Sequence, residues 1–312
     1  MFYWSKFLIT CCLGFFAFTV HAENQVFRVT LLGTGTPVPS VTRFGYSTLI
    51  EVGDQKLIFD FGRGLTIRLT QMNVPLGSID AHFLTHFHSD HLNGLPDLWL
   101  TGWLRPPYGS RQTPLVIYGP PGLKQLTNGL SQAFGRDLEI RAKDEKNPQP
   151  GIAFETHEVL PGVIYQKNDL RVIAFSNDHG ELVTPSYGYR IEYQGKVVVL
   201  SGDTRYSTEV VKQSMGADLL VHCVTVIPEE LLASNPAYQA IYDHLASPED
   251  AARVFTEAKP KLAVFSHIGL NGRATPADLM NRTQRGYAGV VVIGQDLMTI
   301  NVLNATTSIK TP

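Results

Sequence analysis

The chain has 312 residues, 44% of them hydrophobic and 17% charged, and a formal net charge of −2 at pH 7. It shows no internal repeats and no low-complexity tracts, so it has the composition of an ordinary globular protein rather than of a repeat or biased sequence. Because the net charge is slightly acidic, nothing marks a surface that would bind nucleic acid, and we expect no nucleic-acid partner.

Residues 1–22 are predicted to be a secretory signal peptide. Lys6 gives a positive start, residues 7–20 carry no charge, and Val20-His21-Ala22 supplies small residues at the cleavage positions. The apolar run is too short for a comfortable membrane span, although an uncleaved anchor is the alternative. We therefore expect residues 23–312 to form a single domain that is periplasmic or secreted and has no stable membrane anchor.

The first mature segments alternate as strands. Strands are predicted over residues 26–32, 47–52 and 56–61, with Gly53-Asp54 as a hairpin turn between the last two. The glycine-rich loop at residues 33–37 is not followed by the lysine of a phosphate-binding loop, so it reads as a tight backbone turn.

The stretch Thr85-His86-Phe87-His88-Ser89-Asp90-His91 places three imidazoles and one carboxylate between a short apolar strand, residues 79–84, and a helix that begins near Pro96. Imidazole and carboxylate are ligands that suit zinc and similar divalent ions. His86 and His88 alternate in an extended segment and can bind one ion, while Asp90 and His91 follow a bend and can face a second ion. A histidine-rich surface loop is the alternative.

An aromatic segment follows the histidine loop. Residues 101–113 are predicted to form the rim of the cleft, with Trp99, Trp103 and Tyr108 as an apolar wall for an aromatic substrate. Ordinary helix packing is an equally good interpretation of Trp99. A strand at residues 115–118 and an amphipathic helix at 123–134 come next. A polar linker is predicted at 143–150.

Three further residues with ligand-type side chains follow predicted strands in the second half of the chain. His179 follows a strand at residues 170–175, Asp203 follows a strand at 196–200, and His267 follows a strand at 261–265. The preceding segments, 152–159, 163–166 and 187–193, also read as strands. A closing helix at 275–285 and a closing strand at 290–300 complete the predicted elements. Since ligands bind beyond the carboxyl ends of strands in open α/β sheets, these positions favour a shared site.

The motif His-x-His-x-Asp-His at residues 86–91 resembles the signature of the metallo-β-lactamase superfamily. The segments 31–37, 186–190, 201–204 and 265–268 are similar to motifs of its ribonuclease Z-like branch. Residues 97–104 resemble exported members of that branch, some of them described as arylsulfatase-like. The resemblance covers nearly the whole mature chain and implies an α/β fold, the four-layer αβ/βα metallo-β-lactamase sandwich.

The same resemblance implies a centre of two divalent metal ions. The implied ligands are His86, His88 and His179 for one ion, Asp90, His91 and His267 for the other, and Asp203 as the bridge between them. Zinc is the favoured ion, with Mn²⁺ or Fe²⁺ as alternatives. Two adjacent cations would lower the pKa of a bridging water and supply hydroxide as the nucleophile, and Asp90 is also counted among the catalytic residues. Asp60 is expected either to hold a ligand histidine or to cap a helix.

The chain departs from the family pattern at Cys223. Relatives often carry His-Glu where this chain has His222-Cys223, and that glutamate is thought to work with a downstream histidine in proton transfer. Cys223 is the only cysteine beyond residue 22 and reads as a small buried residue. His244, which lies just before a helix that Ser247 caps, is the expected general acid.

The predicted function is an exported dinuclear-metal hydrolase of anionic esters, most simply a phosphodiesterase. The alternatives are an arylsulfatase-like hydrolase, a tRNA 3′-processing endonuclease, a lactonase, and a non-catalytic binding protein of the same fold. The expected substrate is a small-molecule anionic ester rather than nucleic acid, and a homodimer is an open expectation. The stretch between His179 and Asp203 is too short for the long arm with which ribonuclease Z grips tRNA.

Overall fold

The structure is a computed structural model that describes Met1 and residues 26–303. Apart from Met1, the predicted signal peptide lies outside the described residues, so its cleavage stays a prediction. Among the described residues, no helix combines the length and the apolar character needed to cross a membrane.

Two seven-stranded β-sheets form the centre of the described part of the chain. Their strands, numbered in chain order, are β1 (Phe27–Gly33), β2 (Ser47–Val52), β3 (Gln55–Phe59), β4 (Ala81–Phe83), β5 (Leu115–Gly119), β6 (Phe154–Glu158), β7 (Gly162–Lys167), β8 (Leu170–Ser176), β9 (Tyr187–Tyr193), β10 (Lys196–Leu200), β11 (Leu219–Val226), β12 (Ala263–Leu270), β13 (Val291–Ile293) and β14 (Thr299–Asn301). The first sheet has the order β14-β1-β2-β3-β4-β5-β6, and the second has the order β13-β12-β11-β10-β9-β8-β7. Both sheets contain parallel and antiparallel pairs.

Helices flank the two sheets. They are α1 (Leu65–Gln71), α2 (Leu95–Trp103), α3 (Leu123–Ala133), α4 (Gly135–Asp144), α5 (Thr208–Ser214), α6 (Glu229–Ser234), α7 (Pro236–Tyr242), α8 (Pro248–Ala258) and α9 (Pro276–Gly286). Short 3₁₀ turns lie at Leu76–Ser78, Ser89–His91 and Gln149–Ile152. Ser247 caps α8 in a capping box with Asp250, as its sequence predicts.

Three apolar clusters show how the layers pack. The largest contains buried side chains from both sheets, such as Phe59 and Tyr189, and therefore lies between them. A second cluster joins the outer face of the first sheet to α1, α2 and α3. The third joins the outer face of the second sheet to α5, α8 and α9. The predicted four-layer αβ/βα sandwich is confirmed.

Two predicted segments differ from the structure. The closing strand expected at residues 290–300 is two strands, because β13 joins the second sheet whereas β14 joins the first. Between them Asp296 accepts hydrogen bonds from the Thr34 and Phe44 amides, at 3.0 and 2.7 Å, and so holds the chain as it passes from one sheet to the other. The linker predicted at 143–150 begins inside α4, a helix without buried residues and hence without an apolar stripe to predict it.

The strand directions bring the candidate ligands to one edge of the sandwich. The chain leaves β3 at Asp60 and β4 at the histidine loop, and these two strands are parallel neighbours. In the second sheet β10, β11 and β12 run parallel to each other, and β8 has the same direction because it is separated from β10 by antiparallel β9. Loops after parallel strands meet at one edge, which is where the site lies.

Candidate metal centre

The first group of candidate ligands is a set of three imidazoles. His86 and His88 come from the loop after β4, and His179 comes from the loop after β8. The Nε2 atoms of His86 and His179 lie 3.0 and 3.1 Å from Nδ1 of His88. The sequence separates His179 from the histidine loop, but the fold brings their ring nitrogens together, as the resemblance implied.

Hydrogen bonds fix the proton on two of these rings. The Thr85 hydroxyl donates to Asp60 Oδ2 at 2.8 Å, so its oxygen accepts from Nδ1 of His86 at 2.9 Å. Nδ1 of His179 donates to the backbone carbonyl of His244 at 2.9 Å. Both Nε2 atoms are therefore unprotonated in the neutral rings. Their lone pairs face the cluster, by which we mean the candidate ligands taken together.

The second group contains two imidazoles and a carboxylate. One ligand atom each of Asp90, His91 and His267 lies within 4.8 Å of the other two. Nε2 of His267 lies 3.1 Å from Oδ2 of Asp90. All three side chains are buried, which requires partners for their polar atoms.

Asp203 lies between the two groups. Its Oδ2 is 3.3 Å from Nε2 of His91, 3.2 Å from Nε2 of His267 and 3.8 Å from Nε2 of His179. Its Oδ1 is buried without a hydrogen-bond partner in the protein. The carboxylate thus contacts residues of both groups and keeps one oxygen free for a further ligand, the position a bridging ligand needs.

Asp60 holds the histidine loop from behind. Its Oδ2 accepts from Nδ1 of His91 at 2.8 Å, and its Oδ1 accepts from the Thr85 amide at 2.8 Å. A carboxylate on Nδ1 keeps the proton there and leaves Nε2 of His91 facing Asp203. The structure therefore places Asp60 in the supporting role rather than at a helix cap, because Gly64 occupies the N-cap of α1.

Burial and charge set opposite protonation tendencies in the two groups. Burial lowers the pKa of His86, His88 and His179, so these rings are neutral at pH 7, the form that binds metal. Burial also lowers the pKa of His91, but Asp203 and Asp60 beside it outweigh burial and raise that pKa well above its usual value. Burial would raise the pKa of Asp203, whereas His267 and His91 hold it well below its usual range.

The backbone is unusual at two of these positions. His267 lies in a β-bulge of β12, where the register against β11 shifts between His222 and Val224, and it has φ of 47°. Asp60 has φ of 58°. Positive φ is unfavourable for residues other than glycine, and here it accompanies side chains that turn into the cluster.

The donor set fits metal ions. In a tetrahedral zinc site with Zn–N bonds of about 2.0–2.1 Å, ligand nitrogens lie about 3.3 Å apart. The separations of 3.0 and 3.1 Å between the imidazole nitrogens of the first group are close to this value. Lone pairs that face each other across so short a gap are unfavourable unless a cation or a shared proton lies between them. The residues predicted as ligands are thus brought together in two groups that Asp203 joins.

His244 lies beside the first group. Its ring centroid is 5.9 Å from that of His179, and its ring packs over Gly180, where a Cβ would come within 2.5 Å of Cδ2 of His244. The ring is half-buried. His244 therefore lies outside the two groups and next to a member of the first.

Cys223 lies under the loop that carries Asp203. Its thiol is buried and lies 3.2 Å from the backbone carbonyl of Thr204. Burial raises the pKa of this thiol to about 12, so it stays protonated. The structure agrees with the interpretation of Cys223 as a small buried residue.

The aromatic wall predicted near the cleft is wrong for Trp103, and Trp99 follows the alternative interpretation, ordinary helix packing. Trp99 and Trp103 are buried, and their indole N–H groups donate to the carbonyls of Ile152 and Pro148 at 2.9 and 2.7 Å. They pack α2 against the following chain rather than facing substrate. Tyr108 is exposed. The local run of aromatic residues could not show which side of α2 the sheet would cover.

Tyr46 belongs to the site but was not predicted. Its ring centroid lies 5.3 Å from that of His91 and 5.8 Å from that of His267, so it forms one wall of the second group. Tyr46 stands just before β2 with no neighbouring ligand-type residue. Nothing in its local sequence distinguishes it from a core tyrosine.

The fold and the His/Asp cluster together define a metal-dependent hydrolase of the metallo-β-lactamase superfamily. Within this superfamily the chain belongs to the family described as Anti-Pycsar protein Apyc1, which matches residues 27–246, and it is ribonuclease Z-like.

The sequence relatives agree with the ribonuclease Z-like assignment. The chain is 36% identical to Ribonuclease Z of Mycolicibacterium gilvum (strain PYR-GCK) over 77% of this chain and 83% of the relative. It is 33% identical to Ribonuclease Z of Mycobacterium sp. (strain KMS) over 88% and 96%.

The solved structures show the fold. The metallo-β-lactamase fold protein YhfI of Bacillus subtilis aligns with a TM-score of 0.66 at 19% identity, covering 88% of this chain and 98% of that one. The short form of human tRNase Z aligns with a TM-score of 0.65 at 23% identity, covering 88% of this chain and 99% of that one. Zn²⁺-bound PqqB of Methylobacterium extorquens aligns with a TM-score of 0.60 at 15% identity, covering 88% and 99%, and shows that a protein of this fold binds zinc.

The expectation of a small anionic ester as substrate, with no nucleic acid, is wrong. The curated relatives are ribonucleases by name, and this finding points to a nucleic-acid substrate. The expectation rested on the predicted signal peptide, on the short stretch between His179 and Asp203, and on a net charge of −2, which averages over the whole chain. A cluster of metal ligands can instead provide positive charge where a phosphodiester binds, and that local charge is invisible in the average.

Proposed function

We propose that this protein is a two-ion phosphodiesterase that hydrolyses phosphodiester bonds of RNA. The observation that carries the proposal is the position of Asp203, whose Oδ2 faces His179 of the first group and both histidines of the second. A carboxylate shared by two ligand groups suits two ions a few ångströms apart. The ribonuclease names of the relatives support RNA as the substrate class.

The chain's own residues hold and orient the centre. When bound, two divalent ions would supply Lewis-acid stabilisation of the phosphoryl oxygens and activation of water. His86, His88 and His179 would hold one ion. Asp90, His91 and His267 would hold the other, with Asp203 shared. Asp60 and Thr85 keep two of the rings in the tautomer that offers Nε2.

His244 is assigned the general acid. A histidine at the edge of the cluster can donate a proton to the ribose oxygen that leaves when the phosphodiester breaks. The backbone carbonyl of the same residue orients His179 at 2.9 Å. The position of the proton donor is therefore coupled to the position of a ligand.

The loop after β8 bears on which RNA the protein accepts. Residues 177–186 connect β8 directly to β9, so no extended arm leaves the fold between His179 and Asp203. A substrate must then be gripped close to the cluster, and short or single-stranded RNA is favoured over recognition of a whole folded RNA.

The test is hydrolysis of RNA by metal-loaded protein. Purified protein with zinc or manganese is incubated with a 5′-labelled single-stranded RNA, a precursor tRNA and an aryl sulfate, each with and without a chelator. We expect chelator-sensitive cleavage of the RNA substrates, faster for the single-stranded RNA than for the precursor tRNA, and no cleavage of the sulfate. Sulfate hydrolysis without RNA cleavage would contradict the proposal, and so would RNA cleavage that survives complete metal removal.

Export from the cell is a separate proposal that rests on the sequence of residues 1–22. Intact-mass measurement of the protein from its native host tests it. Cleavage predicts a chain that begins near Glu23, and a mass that includes residue 1 would contradict it.

A further inference from the structure

A groove lies on the outer side of the histidine loop. It is lined by Phe87, Pro121, Gly122, Gln125, Leu126, Gly129 and Leu130 and has a volume of about 500 Å³. This value lies within the range of about 300–1,000 Å³ typical of ligand pockets. We call it the α3 groove, because all its residues except Phe87 belong to α3 or to the turn before it.

Phe87 connects the groove to the cluster. His86 and His88 turn their rings toward His179. Phe87, between them, turns to the other side of the loop and contacts the turn at Gly122. Its side chain keeps 37% exposure in spite of its position between two ligands. His88 is also exposed, so the face of the loop beside Phe87 is accessible to a bound ligand.

Gly129 lines the groove and places no side chain in it. Glycine inside a helix reduces the stability of the helix relative to alanine. At Gly129 no atom lies within 4 Å of the position a Cβ would take, so packing does not require glycine there. A side chain at this position would instead project into the α3 groove.

The groove suits an uncharged ring rather than a phosphate. Glu158 Oε1 accepts hydrogen bonds from the Gly122 and Lys124 amides at 2.8 and 3.1 Å, so the N-terminus of α3 is already occupied by a carboxylate. That negative charge repels an anion. An aromatic ring from Phe87, apolar carbons from Leu126, and the exposed amide of Gln125 are the groups that stack on a nucleobase and bond to its edge.

We propose that the α3 groove is a nucleobase subsite, in which Phe87 stacks on the base of the nucleotide whose phosphodiester lies at the metal cluster. This inference rests on the proposed function and adds to it a residue that selects nucleotide substrates over other phosphodiesters. In this arrangement the ribose lies between the phosphodiester at the cluster and the base in the groove.

The experiment compares two substrates that differ by a nucleoside. Thymidine 5′-(4-nitrophenyl phosphate) and methyl 4-nitrophenyl phosphate share a leaving group, but only the first carries a base. The measured quantity is the ratio of their kcat/KM values in the metal-loaded protein. Base–aromatic stacking predicts that Phe87→Ala lowers this ratio about 5- to 150-fold. Phe87→Tyr, which keeps the ring, should preserve it.

Gly129→Leu tests the groove without changing a residue of the histidine loop. It should fill the groove and lower the same ratio, mainly through a higher KM for the thymidine substrate. Gly135→Leu is the matched control, because Gly135 also has open space at its Cβ position but lies outside the groove, in α4. The control should keep the wild-type ratio.

The outcomes separate the two proposals. Wild-type protein that hydrolyses neither compound nor RNA would overturn the proposed function, and the subsite with it. Hydrolysis of both compounds with an unchanged ratio in Phe87→Ala and Gly129→Leu would overturn the subsite alone. A lower ratio in both groove variants, with the control unchanged, supports the subsite.

Discussion

Buried histidines occur in two regions of this protein, and the contrast between them shows what makes a site. His82 and His222 lie in the core, where Nδ1 donates to the carbonyls of Val116 and Cys223 at 2.8 and 2.7 Å. His86 and His179 in the cluster have the same arrangement, with Nδ1 bonded away from the cluster. The four rings are alike in burial and in the nitrogen that carries the proton.

The difference is what the second nitrogen faces. In His82 and His222 the Nε2 atom is buried with no hydrogen-bond partner, beside the rings of Phe61 and Phe255 respectively. In the cluster the Nε2 atoms converge on other ligands. A buried histidine with one free nitrogen is therefore weak evidence for a metal site, and the convergence of several free nitrogens and carboxylates is strong evidence. Each prediction below tests this contrast.

The largest effect is expected for Asp203→Ala. It removes the carboxylate that both ligand groups contact, so metal binding and activity should fall together, with kcat reduced about 10³-fold or more since metal ions supply several kcal/mol of transition-state stabilisation. Activity on RNA and bound metal are measured on the same sample. His222→Leu is the control from the core, and it should keep its metal. Full metal occupancy in Asp203→Ala would contradict the contrast between the cluster and the core histidines.

Removing the His244 ring should separate chemistry from metal binding. His244→Ala should lower kcat on RNA by about 10²–10⁴, the usual contribution of general acid catalysis. Bound metal should be unchanged, because only the backbone carbonyl of His244 holds His179. The loss should be smaller for 4-nitrophenyl esters, whose leaving oxygen needs no proton. An equal loss on both substrates would instead assign His244 to substrate positioning.

Asp60→Ala should weaken metal binding by the second group without removing a ligand. The carboxylate holds Nδ1 of His91 at 2.8 Å, and loss of such a supporting partner typically costs about 10- to 100-fold in metal affinity. Competition with a fluorescent chelator measures the affinity. Asp218→Ala, which removes a carboxylate that pairs with Lys261 away from the cluster, is the control. Equal affinities in wild type and Asp60→Ala would contradict the supporting role.

The core histidines should act on acid stability instead. Burial lowers the pKa of His222 from 6.5 to about 4, so its protonation favours the unfolded chain. The neutral ring's contribution to the free energy of unfolding is fully present above pH 6.5. It is lost as the pH falls toward 4, by about 3 kcal/mol in total. Denaturant unfolding from pH 7 to pH 4 should show a shallower decline for His222→Leu than for wild type. Identical slopes would show that His222 is not protonated on unfolding.

Much of the fold can be predicted because the sequence patterns that specify its elements are local. The alternating strands at 187–193 and 196–200 have the predicted bounds, and the cap at Ser247 forms as expected. Helices α6 and α7 were not predicted, because they have no buried residues and so show no apolar stripe. The split of residues 290–300 between two sheets depends on contacts of Asp296 with residues more than 250 positions away, which no local pattern encodes.

The candidate site divides in the same way. Spacing alone identifies four candidate ligands, His86, His88, Asp90 and His91. His179, Asp203 and His267 were assigned through the family resemblance, and the fold brings them to the same edge. Tyr46 was missed because it contacts the ligand rings only after folding. The substrate class was misjudged because net charge reports on the whole surface and not on the field at one cluster.

The central claim is that two ligand groups joined by Asp203 hold two ions. The most direct measurement is the metal content of purified protein after equilibration with excess zinc and removal of free metal, determined by elemental mass spectrometry against protein concentration. The account predicts about two ions per chain in wild type and in His222→Leu, and a clear loss in Asp203→Ala. A saturating content of one ion or none in wild type would contradict it.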